Sequence, residues 1–292
     1  MTAIIDIEEA RRLFNAAPIE GAPFGIEIKA DLGAEFSETE KEALRQLYRR
    51  DGLILFRGQD LTKRQQIKAC DIFAPALPED ALENFIVSNV EADGVLGARE
   101  LLFHNDVPYV PVPFAAGALY AIEVDEGVSA TRFASAFQGY ENLPAETKQR
   151  IKGMNALHIK GQAIGRPTRL TDSKPGDACA VHALVRRQNV TGRPYAFACV
   201  DMTAMIIGLS EQESDSLLEE LFTSLYAPDN IYEHRWRAGD LVIWDNLGIQ
   251  HARSEIETGK RTLQRVTMSP LGYWEQYPAD MPTFDALHEQ AA

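Results

Sequence analysis

A chain of 292 residues that is 45% hydrophobic and 25% charged, with 20 glycines and 15 prolines, has a globular composition rather than a disordered, collagenous or membrane-spanning one. Its 29 basic and 43 acidic side chains leave a net charge of −14, a field that repels nucleic acid and anionic membranes but permits an anionic small molecule in a locally basic pocket. Three cysteines, Cys70, Cys179 and Cys199, have no CxxC spacing, which excludes a disulfide framework and a zinc ribbon and suits a reducing compartment.

The first twenty residues carry acids where a secretory signal needs a basic end and an unbroken apolar run. No stretch approaches the roughly eighteen consecutive apolar residues of a membrane span, so a cytoplasmic protein is expected. Ser37 with Glu40 is a capping box ahead of Ala43, Leu44, Leu47 and Tyr48 at helical spacing, which predicts a helix over 38–50 ended by Asp51-Gly52. The apolar run 53–56 then reads as a buried strand, and Thr62 with Gln65 opens a second helix. From about residue 100 the texture becomes strand-rich, with runs at 117–124, 130–136, 195–200, 241–246 and 265–269 between Gly, Pro and Asp turns. One helix starts near Pro144, at the favoured first position. Another is capped by Ser210 with Glu213 and carries Leu217, Leu218, Leu221 and Leu225. The polar stretch from about 158 to 192 shows no period and reads as a loop-rich insertion, a lid, within one domain spanning 1–292. The pattern predicts an α+β fold, two packed sheets forming a sandwich or jelly-roll barrel flanked by helices.

Phe103-His104-Asn105-Asp106 holds an imidazole and a carboxylate two residues apart, which at strand spacing face the same side and can grip one ion. Alone, such a pair is equally at home as a hydrogen-bonded surface pair, and it needs a third ligand. That ligand is offered by His251, five residues after the turn and strand Gly239-Asp240-Leu241-Val242-Ile243-Trp244-Asp245-Asn246. Two histidines and one carboxylate leave three positions on a ferrous ion open for a co-substrate and dioxygen, whereas catalytic zinc prefers four ligands with a single open site. Arg261 and Arg265, four apart on a strand-like run, share a face and can fork carboxylates. Taken singly, each is as well explained as a surface arginine beside Gly259-Lys260.

The combination resembles the taurine dioxygenase and aryloxyalkanoate dioxygenase (TauD/TfdA) family of Fe(II)/2-oxoglutarate enzymes. The likeness covers most of the chain and includes Phe56-Arg57 with Gln59, Pro111 and Pro113, Thr131 with Ala134-Ser135, the 182–193 segment ending in Thr191-Gly192-Arg193, and Gly208-Leu209-Ser210. It implies a double-stranded β-helix, the cupin-like jelly roll, flanked by helices. It also implies that His104, Asp106 and His251 bind Fe(II), and that Arg261 and Thr131 hold the distal carboxylate of 2-oxoglutarate. Arg265 would then take an anionic group of the prime substrate, with Glu100 and Asn105 beside the metal motif also facing it.

On this likeness the protein is expected to use O2 to hydroxylate a small anionic or zwitterionic compound, releasing succinate and CO2. Retention of the carboxylate Asp106 points to hydroxylation rather than halogenation. Glu100 replaces an asparagine of the taurine enzymes, and residues 74–80 lack their sulfonate-binding histidine, so taurine itself is disfavoured. A biosynthetic oxidase that desaturates or cyclises an amino-acid-derived metabolite, and a cupin-like metal binder without turnover, remain alternatives. The family's common dimers and tetramers make a homo-oligomer an open expectation. Trp236 and Trp244 are expected to pack the core, and Asp245-Asn246 to shape the turn that aims His251.

Overall fold

The computed structural model describes residues 6–81, 84–89, 95–96, 101–125, 130–160, 165–253, 259–278 and 280–284. The capping boxes act as predicted. Ser37, Thr62 and Ser210 each exchange hydrogen bonds with the residue three positions on, opening helices Glu38–Asp51, Lys63–Cys70 and Glu211–Leu225. Gly52, at φ 71°, takes the left-handed conformation that ends the first of these.

Strand Leu53–Phe56 is buried on both faces, and its alternation shows why. Leu53 and Leu55 face one core shared with Phe133, Tyr232 and Ile249, while Ile54 and Phe56 face a second core covered by Ala43, Leu44, Leu47 and Cys70 of the two amino-terminal helices. The strand lies in an eight-stranded sheet, paired antiparallel with Leu241–Asp245, which in turn pairs with Ala116–Val124, and that with Arg261–Met268. A four-stranded sheet orders Ile231–Arg235, Ala130–Ser135, Ile249–Arg253 and Leu101–His104. The two sheets pack face to face over the first core, giving the jelly roll of a double-stranded β-helix.

Three expectations change. The 195–200 run supplies only Pro194–Ala196 as strand, because Phe197 to Cys199 turn inward as core. The 265–269 run belongs to a longer strand beginning at Arg261. The 158–192 stretch is not all loop: it contains the end of strand Asn155–Ile159, strands Cys179–Ala183 and Val185–Arg187, and a 3-10 turn at Leu170–Asp172. Its alternation was hidden because Val181 and Ala183 face solvent while the polar His182 is half-buried.

Candidate active site

His104 and His251 stand directly opposite one another on adjacent antiparallel strands, their ring centroids 4.2 Å apart. Strand geometry does not carry Asp106 to them. The strand ends at His104, and Asp106 is swung back by a turn whose next residue, Val107, sits at φ 47°, a left-handed conformation that a β-branched residue rarely adopts. The carboxylate oxygen Oδ1 of Asp106 lies 3.9 Å from Nε2 of His104 and 3.8 Å from Nε2 of His251. All three are buried, and they form a group able to hold a metal ion. Two bonds of about 2.1 Å can span these separations, and a slight inward rotation brings the three atoms onto one face of an ion.

Nδ1 of His104 donates to the carbonyl of Leu102 at 2.7 Å, which fixes the tautomer and leaves the Nε2 lone pair toward the cluster. Trp244 packs on the other ring, 4.8 Å from His251. Room for that indole is made by Gly117, opposite Trp244 in the neighbouring strand, where an added Cβ would meet Trp244 Cζ2 at 2.4 Å. Burial pushes the His251 imidazole down to about 3, with His104 adding to the effect, so it stays a neutral ligand. Burial alone would raise the Asp106 carboxyl, but the Arg265 guanidinium beside it, helped by the two histidines, holds it at about 2.

The W-D-N turn splits its work. Asp245 Oδ1 accepts from the backbone N–H of Leu247 and Gly248, shaping the turn into the His251 strand, and its Oδ2 accepts from Gln188 Nε2 at 3.0 Å. Asn246 instead serves the other ligand: it accepts from Asp106 N–H at 2.7 Å and donates to the carbonyls of Asp106 at 3.1 Å and Phe114 at 2.9 Å. Two other motifs also meet, since Arg57 Nη1 lies 2.7 Å from Asp240 Oδ2 and Gln59 N–H donates to Gly239 O.

Beside the triad lies a small cavity of about 30 Å³ lined by Leu119, Thr131, Trp244, His251, Arg253, Arg261 and Arg265 among others. In an antiparallel pair, directly opposed residues project to the same side, and Arg253 opposes Thr131 just as His251 opposes Phe133 of the inner core. Arg261 and Arg265 enter from the facing sheet, on the same strand face as Leu263 of that core. Arg261 is 2% exposed, yet its Nε and Nη1 have no hydrogen-bond partner among the described residues. Burial, reinforced by Arg253, pushes its guanidinium down to about 9. A buried cation with idle donors, next to a second cation, is a receptor for a carboxylate. A larger surface cleft between the amino-terminal helices has its cations already engaged, Arg45 by Glu42 and Lys68 by Glu35.

Arg265 reaches Asp106, Nη2 to Oδ2 at 2.6 Å, and lies over the Phe85 ring with its carbon 5.2 Å from the centroid. The side chain of Asn105 is 1% exposed and donates to the carbonyl of Asn246 at 2.5 Å, pinning the turn before His251. Glu100 lies outside the described residues. Sequence reasoning missed Arg253, although its place two residues beyond His251 on a strand was a readable signal. It also missed the Asn246 clamp, for which residues 140 apart give none.

Two histidines, a carboxylate and a buried arginine-lined cavity inside a jelly roll define a non-haem Fe(II) oxygenase frame. The chain matches the Taurine catabolism dioxygenase TauD, TfdA family over residues 15–267, and it belongs to that family. It is an Fe(II)- and 2-oxoglutarate-dependent dioxygenase, an oxidoreductase that consumes O2. It is 27% identical over 289 residues to the pentalenolactone F synthase of Streptomyces arenae, covering 88% of this chain and 97% of that one. It is 29% identical to the (S)-phenoxypropionate/alpha-ketoglutarate-dioxygenase of Sphingobium herbicidovorans, covering 82% of this chain and 88% of the relative. A taurine dioxygenase structure from Burkholderia xenovorans superposes with a TM-score of 0.74 at 23% identity, over 87% of this chain and 90% of that one. AAD-2 with Mn(II) and N-oxalylglycine gives 0.71 at 22%, over 87% and 96%. At these identities the structures establish the fold alone. Among the described residues, no helix is long and apolar enough to cross a membrane.

Proposed function

We propose that His104, Asp106 and His251 hold the ferrous ion, that Arg261 and Thr131 receive the distal carboxylate of 2-oxoglutarate, and that the enzyme hydroxylates a small anionic or zwitterionic organic compound. The observation that carries this reading is the pairing of the three converging ligand atoms with the idle, buried donors of Arg261 in one cavity. The donor set suits the ion: two imidazoles and one ionised carboxylate, a combination that would leave positions on iron for a co-substrate and dioxygen.

Iron supplies the activation of dioxygen that couples oxidative decarboxylation of 2-oxoglutarate to attack on a C–H bond. The chain supplies everything positional. Arg261 neutralises and aims the far end of the co-substrate, which sets its keto acid end toward the triad. Asn246 and Asn105 hold the two ligand-bearing turns together, and Trp244 walls His251 from water. Arg265 keeps Asp106 ionised, gives its Nε to the Thr267 hydroxyl, and lines the cavity, where an anionic group of the substrate would be its partner. The enzyme acts as one catalytic domain on a small molecule in a reducing, cytoplasmic setting, a reading supported by three buried cysteines that form no disulfide among the described residues, of which burial raises the Cys70 and Cys199 thiols.

The relatives' names range from a synthase to phenoxy-acid dioxygenases and an alkylsulfatase, so the substrate is to be found by a panel. Purified protein with Fe(II), ascorbate and 2-oxoglutarate should release succinate slowly alone and faster with its substrate among sulfonates, aryloxyalkanoates and amino acids. Binding of metal with no succinate across the panel overturns the reading. Product mass separates hydroxylation, about +16, from desaturation, about −2.

A further inference from the structure

Thr131 is 2% exposed, and its hydroxyl accepts a hydrogen bond from Nε1 of Trp236 at 3.0 Å. Indole N–H can only donate, so the threonine oxygen is committed as the acceptor and its own proton must go elsewhere. No acceptor for that proton lies within reach among the described residues, and the hydroxyl faces the cavity that Arg261 and Arg253 line. We infer that Trp236 is a positioning residue for the co-substrate: its N–H presets the Thr131 hydroxyl as a donor aimed at the distal carboxylate of 2-oxoglutarate. The inference rests on the proposed role of Thr131 and Arg261.

The indole is itself held. Its ring meets His234 edge to face, centroids 4.5 Å apart at 88°. His234 is fixed in turn, with Nδ1 2.8 Å from the Tyr232 hydroxyl and Nε2 3.2 Å from Asp240 Oδ2, the same oxygen that Arg57 engages. A buried scaffold therefore runs from the first motif of the chain to the co-substrate pocket. Its last link is one hydrogen bond, so its worth is that of orienting a single donor toward an ionised acceptor.

The test measures binding of 2-oxoglutarate by calorimetry to the Mn(II)-loaded protein, with 2-oxobutyrate as the probe that keeps the keto acid end and lacks the distal carboxylate. Trp236→Phe should weaken 2-oxoglutarate roughly three- to tenfold and leave 2-oxobutyrate unchanged. In a Thr131→Val background the same substitution should have no further effect, because the hydroxyl it orients is gone. Equal weakening of both ligands, or an undiminished effect in the Val background, overturns the inference and assigns Trp236 to packing alone. Loss of 2-oxoglutarate preference in Thr131→Val without any loss in Trp236→Phe overturns it as well. If neither Thr131→Val nor Arg261→Met lowers that preference, the co-substrate reading itself fails, a distinct outcome. Should Trp236→Phe not fold, site-specific replacement by 3-benzothienylalanine keeps the ring shape, removes the N–H and permits the same comparison.

Discussion

The side-chain amide of Asn246 closes a ring with the backbone of Asp106, taking its N–H at 2.7 Å and giving to its carbonyl at 3.1 Å. A carboxamide thus stands where a neighbouring strand would, and it holds a metal-ligand position that regular pairing has already left. Asn246→Ala would strand two buried polar groups of Asp106 and free the turn. Stability should fall by about 1–3 kcal/mol and affinity for Mn(II) by roughly ten- to a hundredfold. Urea unfolding and metal titration check both. Unchanged metal affinity would reduce the clamp to a structural tie.

Gly117 governs the other ligand at one remove. A methyl there would meet the Trp244 ring at 2.4 Å, and that ring lies 4.8 Å from His251. Both residues sit in central strands of the large sheet, so neither backbone yields easily. Gly117→Ala should destabilise by about 1–3 kcal/mol and, by tilting the indole against the imidazole, weaken metal binding. A variant with native stability and metal affinity would mean the indole has room to retreat.

Much of this was readable from residues alone. Capping boxes at Ser37, Thr62 and Ser210 fixed helix starts because the signal is local, three residues long. Arg261 and Arg265 were legible as neighbours because strand period is local too. What stayed hidden depends on pairing across the chain: the register that sets His251 against His104, and the approach of Asn246 to Asp106. Asn105 shows the limit. Only the fold reveals that its amide donates to the Asn246 carbonyl.

Val107 holds its left-handed conformation while burying its side chain against Leu77, Tyr109, Val110 and Phe114. The strain is worth about 1–3 kcal/mol for a non-glycine residue. Val107→Ala loses the buried methyls and keeps the strain, whereas Val107→Gly loses the same methyls and releases it, at an unfolded-state cost of about 0.5–1 kcal/mol. Glycine should therefore be no less stable than alanine here, the reverse of the usual order in extended chain. Chemical denaturation of the two variants decides it, and a glycine variant clearly weaker than alanine would show that the turn is unstrained.

His158 gives the acid limit of the fold. It is 1% exposed in the centre of a three-stranded sheet, packed against His182 and Phe197, with Nδ1 3.1 Å from the Thr203 hydroxyl. Burial, with His182 and Arg186 adding to it, pushes its imidazole well below the ordinary 6.5, so the native state keeps it neutral where the unfolded chain protonates it. Well above pH 6.5, beyond about pH 7.5, neither state binds the proton, and the residue adds no pH dependence. As pH falls below 6.5 the unfolded state binds more protons than the native one, and stability drops by at most about 1.4 kcal/mol per pH unit from this group. His158→Gln removes that contribution while retaining a partner for Thr203. Between pH 7.5 and 5.5, metal-free wild-type protein should lose about 1.4 kcal/mol more unfolding free energy than the variant. His182 and His251 remain in both proteins, so their titration cancels in the difference. Parallel losses in the two proteins would mean that the His158 site admits the charged imidazole.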